Sequence, residues 1–395
     1  MLNFGGKIML KLGFIGFGVS GSARGAELWR NGFAPTGKVT LKAIADPNWE
    51  GVKAQLTPEE IENCNFYKDA ETMLENEKLD GVLIGTRCNL HTKYALLVAK
   101  YNIPLFLEKP VSIDEKQLKQ LSKLLPTMNE KTVVSFPLRM TNIVTKVKEL
   151  YDSGIVGELS QIQAYNNVPY GRNYYHLWFR DDSLTGGLFL QKSTHDLDYI
   201  NYIIGKPYPK TIFATETKKV FKGDKPAGLY CIDCAEKETC PESNINLAKV
   251  GYLHASKPNL QCCFAKDTGN HDCGTIVMKY DDDLHLTYAQ NFVSRLFAGK
   301  RGARFIGFKG TLEFDFATEK ITYYDHFDRE NVQNIEVPTT GMHSGGDKLL
   351  VANFIEVMEG SNKSKSPLLD GIISAKMCLA AKKSAKTNKV INFKI

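Results

Sequence analysis

The chain has 395 residues, which is long enough for two domains that each bury a hydrophobic core. Hydrophobic residues make up 43% of it and charged residues 24%, a balance that excludes a disordered or fibrous class. The formal net charge of +6 is spread along the sequence, so it does not favour a nucleic-acid partner. No apolar run approaches the roughly 20 residues that a membrane-spanning helix needs. The N-terminus also lacks signal-peptide features, so we expect a cytoplasmic protein.

The most informative segment lies near the start, where an apolar run leads directly into three spaced glycines. Leu10–Ile15 predicts a buried strand, and the pattern Gly-x-Gly-x-x-Gly follows it. In a dinucleotide site the first glycine allows a sharp turn, the second lets the pyrophosphate approach the backbone, and the third lets a helix pack closely on the strand. Residues 23–29 predict that helix, whose N-terminus would face the phosphates. The predicted cofactor-binding residues of this turn are Gly16, Phe17, Gly18, Ser20 and Gly21.

A second predicted strand, over residues 39–46, ends in an acid. Asp46 occupies the position where a carboxylate accepts hydrogen bonds from the adenosine ribose and repels the 2′-phosphate of NADP. The sequence therefore predicts NAD as the cofactor in preference to NADP. The alternative is that Asp46 caps a turn or a helix in front of Pro47.

The rest of the first third continues to alternate strand and helix signals, as in a doubly wound parallel sheet. Thr57-Pro58-Glu59-Glu60 predicts a helix start, with an N-cap, a proline in the first turn and acids beside it. Further helices are predicted over residues 69–77, 91–100 and 114–125, and further strands over residues 81–85, 104–107 and 133–136. Because parallel strands end at one edge of their sheet, this order places Thr86 and Lys109 in loops at that edge.

Beyond about residue 130 the pattern changes to longer strands with alternating polarity. Residues 159–165, 274–280 and 284–288 indicate a large, mostly antiparallel sheet. Two helices are predicted in this region, over residues 195–204 and 346–359, and each ends at a glycine suited to a C-cap. We therefore predict an α/β protein with two domains. A Rossmann domain with a doubly wound parallel sheet covers residues 1–130, and an α+β domain for substrate binding and oligomerisation covers residues 131–395.

An unusual density of cysteines marks an insertion around residues 226–275, which holds six of the nine cysteines of the chain. The spacing of Cys231, Cys234 and Cys240 suits three thiolate ligands of one tetrahedral metal ion, and Cys263 is the predicted fourth ligand of a structural zinc site. The alternatives for the fourth position are Cys262, Cys273 and His271. Free buried thiols, a disulfide or an iron–sulfur cluster on four thiolates would also fit the spacing.

Several separated motifs occur in a fixed order along the chain. They are Gly16-x-Gly18-x-x-Gly21, Ala45-Asp46-Pro47, Thr86 with His91, Glu108-Lys109-Pro110, Gly154-x-x-Gly157-Glu158, Gly186-Gly187, His195-x-x-Asp198 and His343-Ser344-Gly345-Gly346-Asp347. This combination resembles the Gfo/Idh/MocA family, which includes glucose-fructose oxidoreductase, inositol dehydrogenase and rhizopine-catabolism oxidoreductases. The likeness runs from about residue 10 to the C-terminus. Because the family acts on many sugars and cyclitols, the resemblance implies a class of activity and no single substrate.

The resemblance implies that Lys109 and His195 are the catalytic residues. In the family, the lysine of Glu-Lys-Pro lies between the nicotinamide ribose and the substrate hydroxyl, where its charge would stabilise a developing alkoxide. His195 would take the proton of that hydroxyl group, because the pKa of histidine lies near neutrality. The alternatives are a surface lysine in a strand-exit turn and a histidine that only caps its helix.

By the same resemblance, the loops at the sheet edge hold the cofactor. The residues that the family motifs imply are Thr86, His91, Glu108 and Lys109. Arg139 corresponds to an arginine in the cofactor pocket of the family. Arg87 departs from the usual Thr-Pro-Asn sequence of the family, and it either contacts the pyrophosphate or holds the loop.

The implied substrate-binding residues come from the second domain. The family often has an aspartate four residues before the catalytic histidine, but this chain has Gln191 there, followed by Lys192. Lys192 would disfavour a charged imidazole, and it either binds a substrate carboxylate or shares the proton transfer. Asp198 would orient the site, and Trp178 and nearby tyrosines would line the sugar pocket unless they belong to the core. His343 is a further candidate, in a loop near the C-terminus.

We therefore expect an NAD-dependent oxidoreductase that transfers hydride between nicotinamide and a ring hydroxyl of a sugar, sugar acid or cyclitol. One alternative is an NAD-retaining glycosidase or isomerase that works through a transient keto-sugar. A second is a non-catalytic dinucleotide-binding regulator, which would have no reason to keep both Lys109 and His195. We also expect a homodimer or homotetramer formed through the C-terminal sheet, with neither nucleic acid nor a membrane as a partner.

Overall fold

A computed structural model describes the chain over residues 9–18, 24–206, 208–252, 254–257 and 260–394. The chain divides into two units. The first contains the residues up to Thr141 together with Thr340–Ala375. The second contains Asn142–Thr339 together with the residues from Lys376 onward.

The first unit is built on a six-stranded parallel sheet. Its strands are β1 Leu10–Ile15, β2 Val39–Ala45, β3 Asn65–Tyr67, β4 Gly81–Ile84, β5 Leu105–Leu107 and β6 Thr132–Val134. They lie in the order β3-β2-β1-β4-β5-β6, and every neighbouring pair is parallel. The chain order reverses between β1 and β4, and such a sheet binds its ligand at the carboxyl strand ends beside that reversal.

The second unit is built on a nine-stranded sheet. Its strands are β7 Leu159–Asn167, β8 Thr211–Thr217, β9 Cys273–Lys279, β10 His285–Asn291, β11 Lys300–Gly307, β12 Gly310–Asp315, β13 Lys320–Asp325, β14 Val332–Glu336 and β15 Ile391–Asn392. They lie in the order β14-β13-β12-β11-β7-β10-β9-β8-β15. β7 and β10 pair in parallel and the other neighbours pair antiparallel, so the predicted fold class is confirmed.

Helices cover both sheets. The α-helices are α1 Arg24–Leu28, α2 Trp49–Lys53, α3 Pro58–Asn63, α4 Ala70–Asn76, α5 His91–Ala99, α6 Glu115–Leu121, α7 Leu125–Met128, α8 Asn142–Asp152, α9 Asn173–His176, α10 Asp182–Thr185, α11 Thr194–Ile204, α12 Asn244–Lys249, α13 Gly346–Met358 and α14 Leu368–Thr387. Within the second unit, α8 packs against α11 and against β12 and β13. None of the helices in the described ranges combines the length and apolar character that crossing a membrane requires.

Local signals in the sequence gave correct helix starts. Thr57 and Glu60 form a reciprocal capping box at the start of α3, in which the Glu60 N–H donates to Thr57 Oγ1 at 3.2 Å and the Thr57 N–H donates to Glu60 Oε2 at 2.9 Å. Short elements such as β3 and α2 were not predicted, because they carry little hydrophobic periodicity. Helix α8 was also missed, although its buried residues Ile143, Val144 and Val147 have helical spacing.

The division into units differs from the predicted boundary at residue 130. The first unit continues through β6 to Thr141, and it also includes α13, which the prediction placed in the second domain.

Aromatic packing explains why α13 belongs to the first unit. The ring of Phe354 on α13 lies edge-on to Phe33 and Phe106, with centroid distances of 6.1 and 5.6 Å. All three side chains are buried in the core of the first unit.

One face of the nine-stranded sheet is exposed within the second unit. Along β9 the buried residues alternate with exposed ones, and the exposed Val277 pairs across the strands with the exposed Phe213 of β8. A half-apolar open sheet face is suited to pairing with a second copy of the chain. The homo-oligomer expected from the sequence stays a prediction.

Candidate active site

The glycine turn at the end of β1 has the backbone that a dinucleotide site needs. Gly16 and Gly18 have φ values of +78° and +82°, a left-handed conformation that residues with a Cβ rarely adopt. A Cβ on Gly16 would lie 2.6 Å from Cγ2 of Thr86, so the turn packs directly on the loop after β4. The ring of Phe17 lies in the core, 5.2 Å from the ring of Phe14, and Phe17 therefore meets the turn through its backbone.

A glycine outside the predicted set lets α1 approach this turn. A Cβ on Gly25 would lie 2.8 Å from the carbonyl oxygen of Gly16 and 2.9 Å from that of Phe17. Gly25 thus provides the close helix packing that the prediction assigned to Gly21. Ser20 and Gly21 lie outside the described residues.

Asp46 is bonded into the glycine turn. Its Oδ2 atom accepts the backbone N–H groups of Phe17 and Gly18, both at 3.1 Å, and its Oδ1 atom accepts the N–H of Asn48 at 2.9 Å. The last bond is the turn cap that the sequence offered as an alternative role. A carboxylate has about four acceptor positions, so these three bonds leave capacity for a ligand hydroxyl group.

His91 joins two loops at the sheet edge. Its Nδ1 atom lies 2.8 Å from the carbonyl oxygen of Pro110, and its Nε2 atom lies 3.1 Å from that of Thr86. Burial lowers the pKa of His91 against the opposite effect of these carbonyl groups. Both ring nitrogens therefore face protein atoms, and His91 positions the loops after β4 and β5. Its contact with the cofactor stays a prediction.

Arg24 is held by three carboxylates at the start of α1, one of which is that of Glu27 at 3.2 Å. Its Nε atom donates to Glu108 Oε1 at 2.9 Å, and its terminal nitrogens donate to Asp347. Burial alone would lower the pKa of Arg24, but the charges of Glu108 and Asp347 outweigh it and raise the pKa. Glu108 was predicted to bind the cofactor; the structure shows its carboxylate fixing the helix that follows the glycine turn.

The loop before α13 completes this network. Nδ1 of His343 lies 2.8 Å from Asp347 Oδ2. Burial would raise the pKa of Asp347, but the hydrogen bond from His343 and the charge of Arg24 prevail and lower it. His343 and Ser344 have φ values of +44° and +54°, and non-glycine residues persist in that conformation only where surrounding contacts hold them.

The other candidates of the first unit lie in different surroundings. Lys109 is half-buried at the end of the β5 loop, with a cis peptide bond to Pro110, and Arg87 is exposed. Arg139 is buried, and its NH1 group donates to Asp370 Oδ2 at 2.6 Å. The charge of Arg139 is balanced inside the first unit, which differs from the cofactor contact that the family resemblance implies.

In the second unit, a π-helical turn over Phe189–Ser193 leads into α11. Such turns are frequent at functional sites. Lys192 lies in it, 6% exposed, and its Nζ atom donates to the hydroxyl oxygen of Tyr170 at 2.7 Å. Burial, reinforced by the charge of Arg301, lowers the pKa of Lys192 well below its ordinary value, against the opposing charge of Asp196.

Asp196 anchors α11 to the sheet. Its carboxylate is completely buried and accepts from Arg301 Nε at 2.7 Å, from the Tyr288 hydroxyl at 2.8 Å and from Asn166 Nδ2 at 2.9 Å. Burial would lower the pKa of Arg301, but Asp196 prevails and raises it. The result is that two basic side chains, Lys192 and Arg301, are influenced by one carboxylate, which is bonded to the arginine.

His195 and Asp198 are both buried on α11, each 4% exposed. Their spacing of three residues makes them neighbours on the helix surface, as the His-x-x-Asp pattern implies. Gln191 is also buried, and its Nε2 atom lies 3.4 Å from the carbonyl oxygen of Thr185. Gln191 therefore bonds to the backbone before the Gly186-Gly187 turn.

The aromatic candidates divide into two groups. Tyr174 and Tyr175 belong to a hydrophobic cluster of the second unit, which agrees with the core alternative. Trp178 is half-buried and stacks on Phe179 with a centroid distance of 4.0 Å. Tyr170 is exposed, and Nζ of Lys192 lies 4.3 Å from the centroid of its ring.

The cysteine-rich insertion brings most of its thiols together. Cys231, Cys234, Cys240, Cys262 and Cys263 line one small cavity. All nine cysteines of the chain lie in the described ranges and none forms a disulfide. Among the described residues, the set of three donor atoms that lies within 4.8 Å of one another is His176, Glu242 and Cys263. The predicted zinc ligands are thus clustered but not arranged around a preformed ion site.

Sequence reasoning missed Arg24, Asp196 and Arg301. A signal for Arg301 was present, because on β11 it shares the inward face with Ala303 and Phe305, and a charged residue on an apolar face requires a buried partner. Arg24 had no comparable signal, since its partner Asp347 is 323 residues away.

The chain matches protein families over nearly its whole length. Residues 10–136 match the Gfo/Idh/MocA family described as an oxidoreductase family with an NAD-binding Rossmann fold. Residues 148–393 match the C-terminal alpha/beta domain of the same oxidoreductases.

Individual proteins show the same likeness. The oxidoreductase YteT of Bacillus subtilis is 27% identical over 355 residues, which cover 80% of this chain and 82% of that protein. Myo-inositol 2-dehydrogenase of Thermotoga maritima is 24% identical over 202 residues, about half of each chain at 50% and 55%. A solved levoglucosan dehydrogenase with NADH and levoglucosan has a TM-score of 0.73 at 15% identity, over 98% of this chain and 99% of that one. At this identity the structural likeness concerns the fold alone.

Proposed function

The chain belongs to the Gfo/Idh/MocA family of oxidoreductases, and on that premise we propose that it is an NAD-dependent dehydrogenase acting on a ring hydroxyl of a sugar, sugar acid or cyclitol. The observation that carries the proposal is the glycine turn of Gly16 and Gly18 with Asp46 bonded into it. Relatives named as inositol dehydrogenase and a neighbour named as levoglucosan dehydrogenase support the class of substrate.

The residues of the first unit fit a dinucleotide. The left-handed glycines keep side chains away from the turn, and Asp46 retains acceptor capacity for ribose hydroxyl groups. The carboxylate would also repel a 2′-phosphate, which favours NAD over NADP. When bound, the nicotinamide ring supplies the hydride acceptor.

Oxidation of a secondary alcohol removes a hydride from carbon and a proton from oxygen. We assign the proton to His195, whose ordinary pKa suits acceptance near neutral pH. We assign to Lys109 the stabilisation of the negative charge that develops on the oxygen. Both assignments rest on the family motifs that these residues occupy.

Lys192 is the further residue that we assign to this chemistry. It is buried beside Arg301, and the one nearby carboxylate, Asp196, is already bonded to that arginine. An amine in these surroundings loses its proton more readily than an exposed lysine. We propose that Lys192 shares the proton transfer as a neutral amine. Binding of a substrate carboxylate by protonated Lys192 is the competing role.

The function is tested by incubating the purified chain with NAD and a panel of neutral sugars, sugar acids and cyclitols while NADH absorbance is followed. We expect one NADH for each oxidised product with at least one class of substrate. Product formation without NADH accumulation would contradict a dehydrogenase and favour an NAD-retaining glycosidase or isomerase. NAD binding without any product across the panel would contradict an enzyme of this substrate class and favour a regulator.

We predict that NAD binds more tightly than NADP and that Asp46→Asn narrows the difference. Asparagine keeps an oxygen that can accept the N–H groups of Phe17 and Gly18, but it lacks the charge that repels a 2′-phosphate. Asp46→Ala loses these bonds as well and should weaken binding of both cofactors. Calorimetric titration with NAD and NADP gives the Kd values. Equal or tighter NADP binding by the unmodified chain would contradict the assignment.

Lys109→Ala and His195→Ala should each lower kcat by about 10²-fold or more, because positioned acid and base groups contribute about 10²–10⁴-fold. The Kd for NAD should change little, since neither residue is assigned to the pyrophosphate or the adenosine. Turnover and NAD titration are measured on each variant. Lys119→Ala, at an exposed position on α6, is the matched control and should keep full turnover. If both variants keep more than about a tenth of kcat, the two roles are wrong.

Lys192→Met should lower kcat and remove part of its pH dependence. In the unmodified chain, kcat for oxidation should rise with pH through an apparent pKa well below the 10.5 of an ordinary lysine. Methionine fills similar volume without an amine, so the limb of the pH profile that is due to Lys192 should disappear. Lys192→Arg distinguishes proton transfer from the binding of a substrate carboxylate, because a guanidinium stays charged. If Lys192→Arg keeps the unmodified pH profile and the KM of acidic substrates, Lys192 binds a carboxylate instead.

A further inference from the structure

The cysteine-rich insertion brings five thiols together that the proposed function does not use. The short helical turn Cys231–Asp233 carries the first, and Cys234 follows it. The segment with Cys262 and Cys263 runs back beside it, because Tyr230 pairs with Gln261. Side chains of these cysteines and of Cys240 line a single cavity. The cysteines therefore converge from three separate parts of the insertion.

Carbonyl groups also contact one of these sulfur atoms. The thiol of Cys231 donates weakly to the carbonyl oxygens of Glu242 at 3.9 Å and of Gln261 at 3.8 Å. Both bonds require the neutral thiol, because a thiolate has no proton to donate. Metal binding would therefore exchange these two weak bonds for a bond between the sulfur and the ion.

Cys263 lines the same cavity, but it also packs into a hydrophobic cluster of the second unit. That cluster contains Tyr175 and Phe292, and Cys263 is 1% exposed within it. Cys262, the preceding residue, lines the cavity and is not a member of that cluster. Cys262 therefore takes the place that the sequence analysis gave to Cys263.

The donor set of His176, Glu242 and Cys263 is less suited to a cation. Glu242 already accepts from Arg295 at 3.1 Å and from Arg172 at 3.3 Å. The two guanidinium groups neutralise the carboxylate and would repel a metal ion beside it. His176 is occupied as well, because its Nδ1 atom lies 2.6 Å from the carbonyl oxygen of Gln261.

We propose that Cys231, Cys234, Cys240 and Cys262 bind one soft divalent metal ion, Zn²⁺, in a tetrahedral thiolate site. The four thiols release their protons to solvent on binding, and no electron is transferred. Arg180 is placed to offset the negative charge of such a site, because its NH1 group donates to the carbonyl oxygen of Cys262 at 3.0 Å. Lys237 lies at the wall of the cavity and adds a second cation.

The test is metal analysis of the full chain, purified under reducing conditions without chelators. We expect one zinc ion per chain by mass spectrometry. Removal of zinc and titration with Co²⁺ should produce sulfur-to-metal charge-transfer absorption that saturates at one ion, with an intensity corresponding to four thiolates. Removal of the metal should lower the melting temperature, since the ion's binding free energy is available only to the folded insertion.

Cys234→Ser and Cys262→Ser should lose the zinc and weaken the charge-transfer band. Cys263→Ala and Cys273→Ser are matched controls in the same insertion, and both should keep one zinc ion. No uptake of Zn²⁺ or Co²⁺ by the unmodified chain would overturn the proposal, and this measurement does not depend on the folding of any variant. Loss of metal in Cys263→Ala but not in Cys262→Ser would overturn the ligand assignment. Detection of iron together with acid-labile sulfide would contradict a single zinc ion and indicate an iron–sulfur cluster. These readouts are independent of dehydrogenase activity.

Discussion

A completely buried carboxylate must be matched by donors, and Asp196 places this constraint on the second unit. Its three donors, Asn166, Tyr288 and Arg301, come from β7, β10 and β11, which are neighbours in the sheet. Helix α11 can therefore dock in only one register without leaving a buried charge unpaired, a loss of about 3–5 kcal/mol. The position of every candidate on α11 follows from that docking. The pKa of Lys192 is affected as well, because the charge of Asp196 is already paired with Arg301 and stabilises the protonated lysine only weakly.

The first unit uses carboxylates in a similar way, to hold backbone that a ligand would meet. Asp46 accepts two N–H groups of the glycine turn, so its carboxylate holds the backbone of Phe17 and Gly18. Glu108 and Asp347 fix α1 through Arg24 and so control the helix that continues from the turn. Binding then costs less ordering of the loop than an unsupported glycine turn would require. Several residues implied by the family resemblance support the backbone of the predicted cofactor site in this way.

Local features were predictable from the sequence, and long-range pairings were not. The glycine turn, the capping box of Thr57 and most strands of the first sheet depend on neighbouring residues, and their periodicity and spacing are visible in the chain. The pair of Arg301 and Asp196 joins residues 105 positions apart. The packing of α13 on the first sheet depends on the aromatic contact of Phe354 with Phe106, which is even farther away along the chain. The π-helical turn before α11 also escapes prediction, because one added residue in a helical turn leaves hydrophobic periodicity almost unchanged. The choice between Cys262 and Cys263 had the same limit, since spacing alone does not tell which of two adjacent side chains also packs into a hydrophobic cluster.

The insertion itself gives a physical reason for a cross-link. Its own hydrophobic cluster is small, with Cys231, Leu247, Ala255 and Leu260 as the buried members. Between Ile232 and Cys240, the residues that are not exposed are Cys234, Lys237 and Cys240, and all three line the thiol cavity. This stretch therefore turns no apolar side chain toward a core, and hydrophobic burial offers little to offset the entropy of ordering it. Segments with this deficit are commonly stabilised by disulfides or metal ions. Because the cysteines here are unbridged, a metal ion on the inward-facing thiols is the cross-link that their arrangement favours.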